Sequence, residues 1–164
     1  MELKQIATDR KFQHWPSFDL VYEWEDVLVK TLDLKFVYKK FWSSKLSRIP
    51  IVNSLIKHHV NTFCFDMSAY IGEVRSDNTS KVIPCIIDFY LEENQMSQFI
   101  NAYHKNRMVL LSSKETYDYV NGYIKRNNIQ NFNIGHLPLS ISDKYAITPS
   151  TRFEKKYDLV LMGR

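Results

Sequence analysis

The chain has 164 residues, of which 45% are hydrophobic and 24% are charged. This composition excludes a disordered chain, and the length is that of one domain whose core needs neither a metal nor a disulfide. The formal net charge of +4 allows contact with phosphates or with an anionic membrane surface. Charge of this kind predicts partners and not the fold.

The two cysteines, Cys64 and Cys85, lie inside apolar runs and lack the spacing of metal ligands. This pattern excludes zinc fingers and secreted disulfide scaffolds, and it predicts two buried free thiols in a reducing compartment. No apolar run approaches the ~18 residues of a membrane span, and the first residues, MELKQIATDRKF, lack the apolar centre of a signal peptide. We therefore expect a cytoplasmic protein.

Glycine is scarce, and its positions exclude two nucleotide-binding motifs. The four glycines are Gly72, Gly122, Gly135 and Gly163. Neither the G-x-G-x-x-G fingerprint of dinucleotide-binding domains nor the G-x-x-x-x-G-K phosphate loop fits these positions. We therefore expect no dinucleotide or ATP site formed by this chain alone.

In the N-terminal part of the chain, short apolar runs alternate with amphipathic ones, although helix and strand are hard to separate there. Pro50 suits the first turn of a helix, and the strand that follows this helix is predicted to stop at Asp66. The predicted order is a short apolar run over Phe18–Tyr22, a helix over Trp24–Leu34, β-type residues over Lys35–Trp42, a helix over Ile49–His58 and a strand over Val60–Phe65.

The pattern is clearer after residue 80. Val82–Phe89 is a β-branched run that is apolar on both faces, as are the strands of a covered parallel sheet. An amphipathic helix is predicted over Leu91–His104, with Glu92 and Glu93 in its first turn, where the helix dipole favours acids. Met108–Leu111 is the next strand. This is the order of a parallel crossover unit.

A capped helix and a further strand follow. Ser112 is predicted as the N-cap, because Glu115 stands three residues later and completes a capping box. The helix is predicted to run to Arg126 and to end at the asparagine pair 127–128, before a strand over Asn133–Leu137. Repeated strand and helix units predict a Rossmann-like α/β domain, a parallel sheet with right-handed crossovers and helices on both faces.

This domain is predicted to span residues 1–141. Residues 142–156 are polar, contain Pro149 and have no periodicity, so they predict a linker. The run YDLVLM begins a strand-like segment over 157–164. We interpret that segment either as the first strand of a truncated second domain or as a C-terminal edge strand of the same sheet.

Three stretches, taken together, resemble a known family. They are IPCIIDFYLEENQMSQFINAYHKNRMVLLSSKETYDYV, NIGHLPLSISDKY and KKYDLVLMGR. In order and spacing they resemble the amino-terminal half of bacterial glycosyltransferases of the two-domain GT-B fold, joined to the first strand of the second half. The resemblance covers roughly residues 60 to 164.

The resemblance implies a function for this half of an enzyme. In GT-B enzymes the N-terminal domain chiefly binds the acceptor, the C-terminal domain binds the nucleotide-sugar donor, and transfer occurs in the cleft between them. It implies an acceptor-binding domain in the assembly of a cell-surface polysaccharide, with a sugar or a lipid-linked acceptor as its partner. Because the nucleotide-sugar donor is held by the other half, we expect this chain alone to bind no cofactor and to be inactive.

Candidate site residues follow from the topology, since ligands of an open parallel sheet collect at the carboxyl ends of its strands. Inverting sugar transfer needs a base for the acceptor hydroxyl, a role for Asp, Glu or His. Asp88 is the first choice, because a carboxylate in an apolar run must be either hydrogen-bonded for structural reasons or poised at a cleft. Asp66 follows the same logic, and capping of the next loop or helix is its structural alternative. The residues after the apolar runs are Glu23, Glu25, Asp66, Asp88, Ser112, Ser113 and His136.

His136 is the third catalytic candidate, although a lone histidine is more often structural. Ser112, Ser113 and Glu25 are predicted to bind substrate, and plain helix capping is the alternative for the two serines. The adjacent histidines at 58–59 lack the spacing of metal ligands on a helix, so no metal site is predicted.

A basic and aromatic run, KFVYKKFWSSKLSR, spans residues 35–48 and contains no acid. It is a solvated face whose aromatic rings point to the core, or a membrane-surface patch that brings the enzyme to a lipid-linked acceptor at the inner face of the membrane, or, least favoured, a nucleic-acid surface. The residues predicted to contact a membrane or phosphates are Lys39, Lys40, Trp42, Lys45 and Arg48.

A function from another class suits the same fold. A non-catalytic, flavodoxin-like binding or regulatory module would use Asp66 and Asp88 as an acidic cluster, since a fold alone does not determine a function.

Overall fold

A computed structural model describes residues 2–10, 18–39, 60–68 and 80–139. In these residues six strands form one parallel sheet in the order β2-β1-β3-β4-β5-β6. The strands are β1 (Gln5–Thr8), β2 (Lys35–Tyr38), β3 (Thr62–Ser68), β4 (Val82–Asp88), β5 (Val109–Leu111) and β6 (Ile134–His136). The helices are α1 (Asp19–Leu32), α2 (Met96–Tyr103), which a 3-10 turn over Glu93–Gln95 precedes, and α3 (Lys114–Arg126).

Helices cover both faces of the sheet. On one face, Val21 of α1 packs in a cluster with Ile6 and Phe63. On the other face, Phe99 of α2 packs with Ile86 and with residues of α3. The opposite placement follows from right-handed crossovers, because β1 to β2 and β4 to β5 run in opposite directions across the sheet. The predicted Rossmann-like α/β domain is therefore confirmed.

The two cysteines are free and fully buried on neighbouring strands. In the parallel register Cys64 of β3 stands opposite Pro84, and Cys85 of β4 stands opposite Phe65. Successive side chains of a strand point to opposite faces, so the two thiols lie on different sides of the sheet. Cys64 accordingly packs in a different cluster from Cys85. This geometry prevents a disulfide between them and agrees with the predicted free thiols.

The N-terminal part of the fold differs from the prediction. The apolar run 18–22 is the start of α1 and not a separate strand, because Val21, Tyr22 and Glu25 share its buried face. The helix ends at Asp33, whose left-handed φ of 51° reverses the chain before β2. The first strand, β1, lies further upstream and was not predicted. Asp66, expected just after a strand, lies inside β3.

The elements after residue 80 agree closely with the prediction. The strand over Val82–Asp88, the helix that ends at Arg126 and the short strand around Gly135 are all present. The helical part predicted from residue 91 begins two residues later, with the 3-10 turn. The helix over 49–58, the linker over 142–156 and the segment 157–164 lie outside the described residues.

The predicted N-cap of α3 is displaced by one residue. Ser113, and not Ser112, caps this helix, and its hydroxyl accepts a hydrogen bond from the Thr116 amide at 3.2 Å. The Ser112 hydroxyl instead donates to the Ile87 carbonyl of β4 at 3.0 Å, so Ser112 still belongs to the end of the sheet.

Within the described ranges, no helix is both long enough and apolar enough to cross a membrane.

Candidate functional site

The topological switch point of the sheet lies between β1 and β3. From β1 the chain moves outward to β2, and it then returns past β1 to add β3 on the other side. In open parallel sheets, the crevice outside the carboxyl ends of the strands at such a point is where ligands bind. The charged side chains at this edge form one group, which we call the switch-point cluster. Its members are Asp9, Arg10, Glu25, Asp26, Lys39 and Asp66.

Glu25 is the most deeply buried member of this cluster, with 2% of its surface exposed. The Thr8 hydroxyl at the end of β1 donates to its Oε2 atom at 2.7 Å. Burial raises the pKa of Glu25 to about 7, while the bond from Thr8 and the charges of Lys39 and Arg10 act in the opposite direction. The carboxyl therefore changes its charge near neutral pH.

Arg10 binds α1 to the end of β1. Its Nη2 atom donates to Oδ1 of Asp26 at 2.6 Å, and its Nη1 atom donates to the Tyr22 carbonyl at 3.4 Å. The Nε atom lies 3.8 Å from Oε2 of Glu25, and the guanidinium stacks over the Phe36 ring of β2 at 4.2 Å. The hydrogen bond to Asp26 is the main reason that the pKa of Arg10 is raised.

Lys39 joins the carboxyl ends of three neighbouring strands. Its backbone amide, just after β2, donates to the Thr8 carbonyl of β1 at 2.8 Å. Its half-buried side chain crosses β1, and Nζ donates to the Phe65 carbonyl of β3 at 2.5 Å. Burial of the ammonium lowers the pKa of Lys39, but its interactions with the Cys64, Asp66 and Asp9 side chains outweigh this effect and raise it. Asp66, with 3% exposure, is thus buried beside a cation.

The other half of the carboxyl edge, at β4 to β6, is built differently. Asp88 is the last residue of β4, is half-buried and lies two positions beyond the register partner of Asp66. Ser113 caps α3 and also donates to the Glu115 carboxylate at 2.7 Å. His136 is the exposed last residue of β6, with its ring 6.2 Å from that of Tyr117.

The structure brings Glu25 and Asp66 close to Lys39. From the sequence, Asp66 was predicted to be catalytic, Glu25 to bind substrate and Lys39 to contact a membrane or phosphates. Asp88, Ser112, Ser113 and His136 end or follow the strands β4 to β6, and Glu23 is half-buried on α1. The remaining patch residues, Lys40, Trp42, Lys45 and Arg48, lie outside the described part of the chain.

Sequence reasoning missed Thr8, Asp9 and Arg10, because it missed β1. Only two apolar residues, Ile6 and Ala7, mark this strand. The signal that was available is the change from an apolar pair to the polar triplet Thr-Asp-Arg, the type of sequence that follows a buried parallel strand.

Searches of protein-family models, of curated proteins and of solved structures find no match to this chain. In the described residues, no group of three or more His, Cys, Asp or Glu side chains is arranged to hold a metal ion. The described side chains of the switch-point cluster are carboxylates, which accept hydrogen bonds from hydroxyls, and the two cations Arg10 and Lys39, which hold them in place.

Proposed function

We propose that this chain is the acceptor-binding domain of a glycosyltransferase that uses a nucleotide-sugar donor and acts in the assembly of a cell-surface polysaccharide. The observation that carries the proposal is the switch-point cluster, whose bonds join β1, β2, β3 and α1 at the edge where such sheets bind ligands. Fixed carboxylates at this edge suit a ligand rich in hydroxyl groups. The resemblance of residues 60 to 164 to GT-B enzymes supports the same assignment.

The proposed reaction makes one bond and breaks another. The acceptor hydroxyl oxygen bonds to the anomeric carbon of the donor sugar, the bond between that carbon and the diphosphate breaks, and the nucleoside diphosphate leaves. In an inverting enzyme the acceptor proton passes to a base. Asp88, Asp66 and His136 at the carboxyl edge are the candidates for that base, and the first two lie on adjacent strands and on the same face of the sheet. The donor would be held by a second domain outside these 164 residues.

The proposed location is the cytoplasm, at the inner face of the membrane when the acceptor is lipid-linked. The basic and aromatic run 35–48 supports this location, because basic residues with interleaved aromatic rings suit anionic headgroups. Lys39 does not belong to this surface, since its ammonium is directed into the sheet edge and bonded to the Phe65 carbonyl.

A second candidate function is a non-catalytic flavodoxin-like binding module. The observation that favours it is the strand order, since the first five strands in space, β2-β1-β3-β4-β5, follow the flavodoxin-like order. A ligand of such a module also binds at the β1 and β3 ends, so the class of ligand distinguishes the two candidates.

The experiment is a nuclear magnetic resonance titration of the 164-residue chain with an oligosaccharide mixture and, separately, with a nucleoside diphosphate. We expect oligosaccharides to shift amide resonances at the carboxyl ends of β1 and β3, and Asp66→Asn to weaken this binding by about tenfold, the value of one hydrogen bond to a charged group. Asp118→Asn is the matched control, because Asp118 is exposed on α3, far from β1 and β3, and pairs there with Lys114.

Two results would contradict the glycosyltransferase proposal. One is nucleotide binding at this edge that is tighter than the binding of every oligosaccharide, which favours the flavodoxin-like module. The other is a folded chain whose resonances respond to neither ligand class.

A further inference from the structure

The exposed aromatic side chains of the protein gather where the chain leaves β4. In the part of the chain that the structure describes, Tyr90 and Tyr119 are the two exposed residues among Phe, Tyr and Trp. Both flank Phe89: Tyr90 follows it directly in the chain, and the Tyr119 ring of α3 meets the Phe89 ring edge-on at 6.3 Å. We call Phe89, Tyr90 and Tyr119 the β4-exit patch. One exposed ring is ordinary on a protein surface, but two beside the same residue form an aromatic surface.

Phe89 anchors this patch to the core. Its ring meets the Phe99 ring of α2 edge-on at 5.3 Å, and Phe99 is fully buried. The backbone that carries Tyr90 is therefore held by a packed neighbour. Tyr90 itself is 77% exposed, and no hydrogen bond or ring contact with its side chain occurs among the described residues. The fold thus holds this ring in place but does not use it for packing.

A carboxylate with open acceptor positions lies two residues before Tyr90. Asp88 is the half-buried last residue of β4, and in the described ranges its side chain forms neither a hydrogen bond nor an ion pair. A carboxylate accepts several hydrogen bonds, and a partly buried one without partners is costly. Consecutive Cα atoms are ~3.8 Å apart, so the Cα atoms of Asp88 and Tyr90 are at most about 7.6 Å apart. One sugar ring can bridge this distance.

We propose that the β4-exit patch and Asp88 bind one pyranose ring of the acceptor, with the Tyr90 ring stacked on its C–H face and the Asp88 carboxylate accepting hydrogen bonds from its hydroxyls. This inference rests on the proposed function and names the substrate class of the acceptor, a pyranose with equatorial hydroxyls. Such a sugar presents flat faces of axial C–H bonds inside a rim of hydroxyls, which match an aromatic ring and a carboxylate. Because Asp88 is also the first candidate for the base, the stacked sugar is the one whose hydroxyl attacks the donor.

The test uses the full 164-residue chain and two probes. One is a β-1,4-linked glucose tetrasaccharide, whose ring substituents are equatorial, and the other is an α-1,2-linked mannose tetrasaccharide, in which an axial oxygen interrupts one face. We expect the glucose probe to bind several times more tightly and to shift the amide resonances of residues 89–91. In saturation-transfer difference spectra, the axial C–H protons of one sugar face should receive the strongest signal.

Variants of Tyr90 separate stacking from other contacts. Tyr90→Ala removes the ring, and we expect it to weaken binding of the glucose probe about tenfold, the effect of an aromatic contact of about 1.4 kcal/mol. Tyr90→Phe keeps the ring and should bind as the wild type does. Since the ring makes no contact in the fold, thermal unfolding of both variants should match that of the wild type.

Val27→Ala is the matched control for the loss of exposed apolar surface. Val27 is 49% exposed on α1, which covers the opposite face of the sheet from α2 and α3. We expect this variant to leave the affinity for the glucose probe unchanged.

Each contrary outcome has a definite meaning. Wild-type affinity of Tyr90→Ala for the glucose probe overturns the inference and leaves the proposed function intact. Equal losses in Tyr90→Phe and Tyr90→Ala also overturn it, because the hydroxyl and not the ring would then make the contact. A chain that binds other oligosaccharides but not the glucose probe, or that binds the mannose probe more tightly, overturns the substrate class. A folded chain that binds no oligosaccharide at all overturns both the proposed function and the inference.

Discussion

The two halves of the carboxyl edge differ in how their charged side chains are bonded. At β1 to β3, the bonds join residues far apart in sequence: Thr8 with Glu25, Arg10 with Asp26 and Lys39 with Phe65. At β5 and α3, the Ser112 hydroxyl reaches the neighbouring strand β4, but the charged group of this half, Glu115, is bonded to Ser113 only two residues away. Short-range bonds of this second kind cap the start of a helix and need only local structure. Bonds between separate elements form only when those elements have packed together.

The comparison teaches where to look for a ligand site. The presence of a capping serine is explained by the helix that it stabilises. A carboxyl that is 2% exposed and has its pKa raised to about 7 is costly to bury, and the fold retains it at the edge where ligands bind. The β1 to β3 half is therefore the part of the edge that holds a costly buried carboxyl, which stability of the fold alone does not explain.

The largest expected effect that tests this comparison is a pH dependence of stability due to Glu25. Its pKa is 4.5 when unfolded and about 7 when folded, so the folded state binds the proton more tightly and stability falls as pH rises through this window. The full fall is about 3 kcal/mol. Glu25→Gln keeps an acceptor for Thr8 and cannot ionise, so we expect urea unfolding at about pH 5 and about pH 8 to show that the fall is lost.

Glu115→Gln is the control from the other half of the edge. Glu115 is exposed beside Ser113, and the bond from that hydroxyl lowers its pKa, so its effect on the pH dependence has the opposite sign and is screened by solvent. A wild-type stability that changes between pH 5 and pH 8 by the same amount as that of Glu25→Gln would contradict a raised pKa of Glu25 in the folded state.

A smaller effect is expected from Lys39→Met. The change removes the bond from Nζ to the Phe65 carbonyl and leaves Asp66 without this cation. Because a buried negative group that loses a nearby cation costs several kcal/mol and Lys39 is only half-buried, we expect a loss of about 2 kcal/mol in the free energy of unfolding.

Lys114→Met is the matched control for this measurement. Lys114 forms an exposed pair with Asp118 one helical turn away, so its loss should cost about 0.5 kcal/mol or less. Equal costs for the two lysine variants in urea unfolding would remove the distinction between the two halves of the edge.

The smallest effect concerns the capping serines. Ser113→Ala removes the cap of α3 and should cost about 1 kcal/mol. Ser112→Ala loses only a bond to the Ile87 carbonyl and should cost about 0.5 kcal/mol. Thermal unfolding of both variants gives the comparison, and a larger cost for Ser112 would restore it as the functional N-cap.

Much of the fold could be predicted from the sequence, because β4 is a long β-branched run and α3 begins and ends with recognisable caps. The site could be predicted only in part. Glu25, Asp66 and Lys39 were singled out individually, but their proximity depends on the strand order, and the order depends on β1, a strand with only two apolar residues. The chemistry of Thr8 and Arg10 depends on that strand as well.

The position of β1 has a consequence for how the chain folds. This four-residue strand pairs on both sides, and its Gln5 side chain bonds to Thr62, 57 residues away. Contacts of such sequence separation form slowly, because a long loop must close first. We expect β1 to dock after β4, β5 and their helices, and pulse-labelled hydrogen exchange to show late protection of the Ile6 and Ala7 amides. Assembly of the switch-point cluster would then be the last step of folding, so a newly made chain would complete this edge of the sheet and its core together.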